Sequence, residues 1–152
     1  MRPRARSANI VNIMKPTERD EVLAAARDAL LAALPDAWAI YVFGSFASGE
    51  EWPGSDLDLA VLLPPERRIE NRLQVMADVS AKAHRDVDLV DLRRAGDVLR
   101  REVLGAGRTL HVSAPDQVLA WEAAAMSRYA RHREEIRDIL EDFRKSGVGY
   151  HA

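Results

Sequence analysis

The sequence predicts an α+β (α/β-like) domain in which helices pack against a small mixed β-sheet. Short apolar segments alternate along the chain with longer segments of helical periodicity, a pattern typical of this fold class. Nearly half of the 152 residues are apolar and 30% are charged, as in an ordinary globular protein. A chain of this length can bury a hydrophobic core without disulfides, and it contains no cysteine to form one.

The first half of the chain is predicted to form one helix and two strands. Residues 17–34 begin with a threonine and an acidic turn and carry apolar residues at helical spacing. Residues 38–43 are rich in aromatic and β-branched side chains, which favours a buried strand. A turn-rich connection at 44–55 leads to residues 56–63, which alternate at first and then become apolar, as in a central strand.

The second half is predicted to continue with helix, strand, helix, strand and helix. Residues 66–84 return to helical spacing, and residues 86–92 alternate as a third strand does. Residues 96–104 form a short helix that glycines close, and 108–112 form a fourth strand at an edge. A long helix follows from 116 to 143. Its apolar residues fall near one stripe: Leu119, Met126, Tyr129, Ile136, Leu140 and Phe143.

These elements suggest a division of the chain into four parts. Residues 1–16 are expected to be a flexible arm, 17–112 the α+β core, 113–146 a C-terminal helix and 147–152 a disordered tail. The N-terminus has basic residues but no apolar region of the kind found in signal peptides, and no segment is long enough for a membrane span. Together with the absence of cysteine, this favours the cytoplasm.

The net charge of −2 gives no basic excess of the kind that strong nucleic-acid binders carry. The missing cysteines also exclude thiolate catalysis and cysteine-ligated metal sites. Nucleic acid is therefore not expected as a partner.

The segment with the clearest chemical content runs from Gly44-Ser45 to Asp56-Leu57-Asp58. Glycine directly after a strand allows a sharp turn and close approach of a ligand, and a short helix starting at Ser45 would offer free N–H groups to a phosphate chain. Asp56 and Asp58 are two apart on a predicted strand, so their side chains share a face. Two adjacent carboxylates repel one another unless a cation neutralises them, and Mg²⁺ prefers such oxygen ligands.

The third strand supplies further carboxylates, Asp86, Asp88 and Asp91. Asp88 lies beside the Asp56/Asp58 pair if the two strands are adjacent. Three carboxylates can hold two Mg²⁺ ions, one for the attacking hydroxyl and one for the triphosphate, with Asp88 as partner or general base for the hydroxyl. The alternative is that these acidic residues simply face water beside a strand.

The run GSFASGEEWPGSDLDLAVLL resembles the signature of the polymerase-β-like nucleotidyltransferase superfamily, Gly-Ser, ten residues, Asp-x-Asp. It is most similar to the minimal nucleotidyltransferases (MNT proteins). The resemblance covers roughly residues 18–112, including VDLVDL around Asp88 and LRREVLGAGRTLH at 99–111. It implies that Gly44, Ser45 and Ser55 bind the nucleotide, while Asp56 and Asp58 hold metal. Asp88 then becomes the third carboxylate, in preference to Asp86 or Asp91.

MNT proteins of this size resemble the MntA antitoxins of HEPN/MNT toxin–antitoxin pairs. That resemblance implies a Mg²⁺-dependent enzyme that transfers AMP from ATP to a tyrosine of a partner HEPN toxin. The short chain has no room for a separate acceptor domain, which fits an acceptor supplied by the partner. Two alternatives stay open: transfer to a small molecule such as an aminoglycoside, and an antitoxin that acts by binding alone.

The chain departs from the MNT pattern in the loop that follows the glycine. Many MNT proteins carry a basic residue where this chain has Ser48, and such a residue would help with phosphate or brace the loop. Glu50 and Glu51 make the loop acidic near an anionic ligand, and the expectation is that they point to water. The departure therefore weakens the expected contact with phosphate but spares the predicted metal ligands.

Two further groups of residues have an ordinary interpretation and a functional one. Trp121, Met126 and Tyr129 of the last helix are expected to pack in the core, with a partner interface as the alternative. Two arginine clusters are expected mainly to solvate helix faces, with contact to phosphate or an acidic partner as the alternative. Their members are Arg67, Arg68 and Arg72, and Arg100, Arg101 and Arg108.

Overall fold

The computed structural model describes residues 16–52 and 54–146 of the chain. The described residues exclude 1–15 of the predicted arm and the whole predicted tail at 147–152. The elements in chain order are α1 (Pro16–Ala33), β1 (Ala39–Phe43), α2 (Ser45–Ser48), β2 (Leu57–Leu62), α3 (Arg72–Ala83), β3 (Val87–Asp91), α4 (Asp97–Ala106), β4 (Arg108–Val112) and α5 (Pro115–Ser146).

Four strands form one mixed sheet in the order β3-β2-β1-β4. β1 is antiparallel to both β2 and β4, with an irregularity between Ile40 and Tyr41 on the β4 side. β2 and β3 are parallel, so the chain must cross over between them, and α3 forms that crossover. The predicted fold class, a mixed sheet covered by helices, is confirmed, and β4 is an edge strand as expected.

Helices cover both faces of the sheet because the central strands are apolar on both sides. All five residues of β1 are buried, and its side chains alternate between two clusters. Ile40 and Val42 face α1 and α3, where they pack with residues such as Leu30 and Val79. Tyr41 and its neighbours on the second face pack against α4 and the start of α5.

The predicted helix at 66–84 is too long at its N-terminal end, because α3 begins only at Arg72. Glu66 has a φ of 70°, which an α-helix does not accommodate. Asn71 then caps the helix, since its side chain accepts a hydrogen bond from the Gln74 backbone N–H at 3.3 Å. Residues 66–71 are therefore a connection that carries α3 over the first face of the sheet.

Helix α5 is longer than predicted, and most of its apolar stripe does not enter the core. Only Val118 and Ala125 of its 32 residues are buried. Near its start, the Tyr41 hydroxyl donates a hydrogen bond to Glu122 at 2.6 Å, and Trp121 packs against the second cluster. Core packing is thus confirmed for Trp121 but is wrong for Met126, which is 38% exposed.

No helix among the described residues combines the length and apolar character that a membrane span requires. α5 is the longest of them, and charged side chains are spread along it.

Candidate active site

The turn that follows β1 depends on Gly44. Its φ of 70° and ψ of −149° lie in a region that side chains other than glycine rarely adopt. A Cβ atom there would also fall 2.3 Å from Oδ2 of Asp58, which is closer than any contact allows. The backbone at Gly44 and the Asp58 side chain are therefore directly apposed, and Ser45 begins the short helix α2 beside them.

Strand register brings the predicted carboxylates to one place on the sheet. Asp58 is paired with Phe43 at the end of β1, and on its other side with Asp88 of the parallel strand β3. Asp56 is exposed one residue before β2 begins. Asp58 and Asp88 therefore lie side by side, with Asp56 next along the chain, on the face that α4 covers.

The electrostatics of Asp58 are consistent with this cluster. Burial raises the pKa of the Asp58 carboxyl above its usual value. The negative charges of Asp88, Asp56 and then Glu102 raise that pKa further. Glu102 belongs to α4 and had no sequence signal as a site residue, because only the packing of α4 on the sheet brings it near the strand ends.

Asp88 and Asp91 have different surroundings, although both belong to β3. Asp91 accepts a hydrogen bond from the Arg93 backbone N–H at 3.1 Å and lies 3.6 Å from the Arg94 side chain. Those contacts close the turn after β3. Asp88 instead faces Asp58, so strand register favours it over Asp91 as the third carboxylate. Asp86 precedes the strand and is exposed.

Arg72 is a cation beside this cluster. Its Nε donates a hydrogen bond to the Leu89 carbonyl at 2.7 Å, and its second guanidinium nitrogen lies 3.2 Å from Oδ1 of Asp88. The sequence placed Arg72 in a basic helix face without assigning it a contact. The ion pair is half-exposed, so it orients Asp88 more than it stabilises the fold.

The carboxylates do not form a closed metal cage in this conformation. Among residues 16–52 and 54–146, no three His, Cys, Asp or Glu side chains are grouped tightly enough to hold an ion by themselves. Mg²⁺ is often bound by one or two carboxylates together with substrate phosphates, so an open group of oxygen donors fits it chemically. Burial and then the charges of Asp88 and Asp56 raise the pKa of Asp58, and a divalent cation would relieve the repulsion between these carboxylates.

Glu51 lies in the loop between α2 and β2, and the prediction that its side chain faces water is wrong. It was expected to face water, but it is 1% exposed and forms an ion pair with Arg19 of α1. Its second carboxylate oxygen, Oε2, is buried without a hydrogen-bond partner. Glu50 next to it is exposed, as predicted. The loop is thus tied to α1 by a buried charge pair that only tertiary packing reveals.

Ser55 is also buried, and its hydroxyl holds the same loop together. Ser55 Oγ accepts a hydrogen bond from the Trp52 backbone N–H at 2.7 Å. Arg85 donates from its guanidinium to the carbonyls of Trp52 and Ser55, at 2.9 and 3.3 Å. The structure therefore places Ser55 as a support immediately before Asp56, and its assignment to the nucleotide stays a prediction.

Ser48 ends the short helix α2 and is exposed. Its hydroxyl donates a hydrogen bond to the Ser45 carbonyl at 3.2 Å, so it satisfies the backbone of its own helix. The position carries no positive charge that could assist a phosphate.

The family described as "Polymerase beta, Nucleotidyltransferase" matches residues 29–116, which include every predicted site residue. The protein adenylyltransferase MntA of Shewanella oneidensis is 32% identical over 109 residues, covering 72% of this chain and 78% of that protein. A solved toxin–antitoxin structure with AMP-PNP has a TM-score of 0.68 and 30% identity over 79% of this chain and 96% of its own. A second structure, the tri-AMPylated Shewanella oneidensis HEPN toxin in complex with MNT antitoxin, has a TM-score of 0.60 and 28% sequence identity. This match covers 85% of this chain and 98% of the other.

Proposed function

The chain belongs to the polymerase β nucleotidyltransferase family, and we propose that it is an adenylyltransferase antitoxin. In this proposal it transfers AMP from ATP to a tyrosine of a partner HEPN toxin, in a reaction that requires Mg²⁺. The similarity to MntA, and to toxin–antitoxin structures that contain AMP-PNP or an AMPylated HEPN toxin, supports the nucleotide and the class of acceptor. The cytoplasm is the proposed location.

The observation that carries the proposal is the apposition of Gly44, Asp58 and Asp88. The Gly44 backbone packs against the carboxylate of Asp58, and strand register pairs Asp58 with the second carboxylate, Asp88, on the next strand. Burial raises the pKa of the Asp58 carboxyl, and the negative charges of Asp88 and Asp56 raise it further. Such an arrangement costs stability, and it is useful to a protein that binds a cation with an anionic substrate.

The proposed roles follow from position. Asp56, Asp58 and Asp88 would hold Mg²⁺, which supplies positive charge for the triphosphate and for the departing pyrophosphate. Gly44 and Ser45 lie beside Asp58, where the backbone can approach the phosphates closely.

Asp88 would also accept the proton of the attacking hydroxyl. The phenolic oxygen then bonds to the α-phosphorus as the bond to pyrophosphate breaks. A tyrosine hydroxyl is largely protonated at neutral pH, so transfer needs such a base. Arg72, which contacts Asp88, would keep this carboxylate oriented between the metal and the acceptor.

The test is transfer from ATP labelled at its α-phosphate to the protein encoded by the neighbouring gene, with Mg²⁺ present. The proposal expects label on that protein, located to a tyrosine by peptide mass spectrometry. Label on another residue type would overturn the tyrosine assignment and leave the enzyme class intact. An absence of label with a folded, partner-bound chain would count against the enzyme.

One alternative has an observation in its favour. Ser48 stands where many MNT proteins carry a basic residue, and its hydroxyl is used within α2. An antitoxin that acts by binding alone would tolerate this change. It predicts that Asp56→Asn with Asp58→Asn neutralises the toxin as well as the unchanged chain does, without ATP.

A further inference from the structure

Helix α5 carries a groove that the described core leaves uncovered. It has a volume of about 780 Å³ and begins at Arg101 of α4. Its apolar wall is formed by Met126, Tyr129, Ile136 and Leu140. Ile136 and Leu140 are 45% and 53% exposed, and neither belongs to the two buried clusters of the core. We call this surface the α5 groove.

The apolar residues of the α5 groove follow the spacing of a helix–helix seam. From Met126 the row continues through Tyr129, Ile136 and Leu140 to Phe143, with Arg133 at the one polar position. The intervals alternate between three and four residues, which is the heptad pattern of helices that pair side by side. The surface therefore has the shape and periodicity to receive another helix.

The charged residues of the α5 groove restrict which helix can bind. Four arginines and two glutamates line it: Arg101, Arg133, Arg137, Arg144, Glu134 and Glu141. Arg137 and Arg144 occupy the same flanking position of successive heptads, directly after Ile136 and Phe143. Flanking charges determine which helices pair in such seams. An incoming helix with acidic flanks would be attracted, and one with basic flanks repelled.

Two occupants from this chain itself are disfavoured by the same charges. A second copy paired antiparallel through α5 would place Arg137 and Arg144 opposite arginines of its partner. The segment 1–15 contains four basic residues and no acidic one, so it has the same sign as the groove. The segment therefore supplies no carboxylate, and an antiparallel second copy would not place one opposite Arg137 and Arg144.

We propose that the α5 groove binds an amphipathic helix of a partner protein whose apolar row is flanked by aspartate or glutamate. The groove starts at α4, and the next α4 residue, Glu102, is close enough to influence Asp58. α4 and the start of α5 cover the same sheet face that carries Asp58 and Val90. A partner helix held there would lie beside the carboxylate site, and identifying it with the acceptor protein rests on the proposed function.

Two synthetic helical peptides of about three heptads test this binding directly. Both have leucine at the seam positions, and one carries glutamate and the other lysine at the flanks. Isothermal titration against the full-length chain is expected to show binding of the glutamate peptide, at least about tenfold tighter than the lysine peptide and weakened by salt. Equal affinity, or no binding of either peptide, would overturn the proposal.

A pair of matched charge reversals locates the site. Arg137→Glu with Arg144→Glu should weaken the glutamate peptide at least about tenfold and favour the lysine peptide. Arg131→Glu with Lys145→Glu makes the same change in net charge on exposed α5 residues that do not line the groove, and should leave both affinities within about twofold. Similar losses in both double variants would show that charge alone, rather than this groove, attracts the peptide.

Two further measurements separate the remaining explanations. Sedimentation of the peptide-free chain should give a monomer, whereas a dimer that Leu140→Asp dissociates would assign the groove to a second copy. Asp58→Asn should leave the peptide affinity unchanged, because Asp58 does not line the groove. Failure of nucleotide transfer would therefore count against the proposed function without affecting the docking surface.

Discussion

The central strands bury their apolar residues, whereas helix α5 leaves most of its apolar residues exposed. Every residue of β1 is buried, and β2 buries all but Asp58. In α5, which is 32 residues long, only two residues are buried and an apolar row faces outward. The comparison indicates that the sheet and its helices position the carboxylates without help, while most of α5 is available for contact with another molecule.

Among substitutions that leave the carboxylates themselves unchanged, Gly44→Ala is expected to have the largest effect, because Gly44 joins β1 to the position occupied by Asp58. Gly44→Ala places a Cβ 2.3 Å from Asp58 Oδ2 and also strains the backbone. If Asp58 is the metal ligand that we propose, its displacement by about 1 Å should reduce nucleotide transfer about 100-fold. Initial rates of labelling measure the effect.

Gly49→Ala is the matched control for that substitution. Gly49 also has a positive φ, but a Cβ there would meet nothing within 4 Å. It should lose about 1 kcal/mol of stability and keep most of its activity. Equal losses of activity in the two variants would show that backbone strain, and not the contact with Asp58, causes the loss in Gly44→Ala.

The next prediction compares a leucine of the core with one of α5. Leu89 is fully buried, so Leu89→Ala should lower the free energy of unfolding by about 2–5 kcal/mol. Leu140 is 53% exposed, so Leu140→Ala should change it by less than about 0.5 kcal/mol. Denaturant unfolding of both variants measures this difference. A large loss for Leu140 would mean that α5 folds onto the core in a way that the structure does not show.

Substitution of Tyr41 tests the hydrogen bond that joins strand β1 to helix α5. Tyr41→Phe removes the hydrogen bond to Glu122 and should cost about 1 kcal/mol, as measured by thermal unfolding. Tyr129→Phe keeps the ring beneath Arg101 and should change stability by less than about 0.5 kcal/mol. If Tyr41→Phe has no effect, α5 is attached by apolar packing alone.

The smallest expected effect is a gain in stability. The pKa of Asp58 is raised in the folded chain, so above the usual aspartate pKa its negative charge opposes folding. Asp58→Asn should therefore raise the free energy of unfolding by about 0.5 kcal/mol at neutral pH, after allowance for solvent screening. The gain should shrink as the pH falls through the raised pKa of Asp58 and should vanish well below the usual aspartate pKa of about 4, where the side chain is protonated in both states. A gain that is independent of pH would contradict the electrostatic explanation.

Local sequence patterns were sufficient to predict the strands and the proximity of Asp58 and Asp88. Alternation in β2 predicted that Asp56 and Asp58 share a face, and adjacency of β2 and β3 then placed Asp88 beside them. The burial of Glu51 could not be predicted, because its partner Arg19 is 32 residues away on another helix. Long-range packing, rather than local spacing, decides such contacts.

The exposure of the apolar row on α5 could not be predicted for a different reason. Helical periodicity identifies an apolar stripe but does not distinguish a stripe that enters the chain's own core from one that faces a partner. Residues 66–71 also matched helical spacing, yet the positive φ of Glu66 keeps them outside α3. In both places the hydrophobic pattern is present in the sequence, but only the tertiary structure shows whether those residues are helical or buried.

The central claim is that the core carboxylates perform the transfer while other surfaces hold the partner. The most direct measurement is labelling of the bound partner by Asp56→Asn with Asp58→Asn, with complex formation followed in the same sample by sedimentation. The account predicts a stable complex in which labelling falls at least about 1,000-fold, as expected when groups that act only in the transition state are lost. Labelling at the rate of the unchanged chain would contradict it.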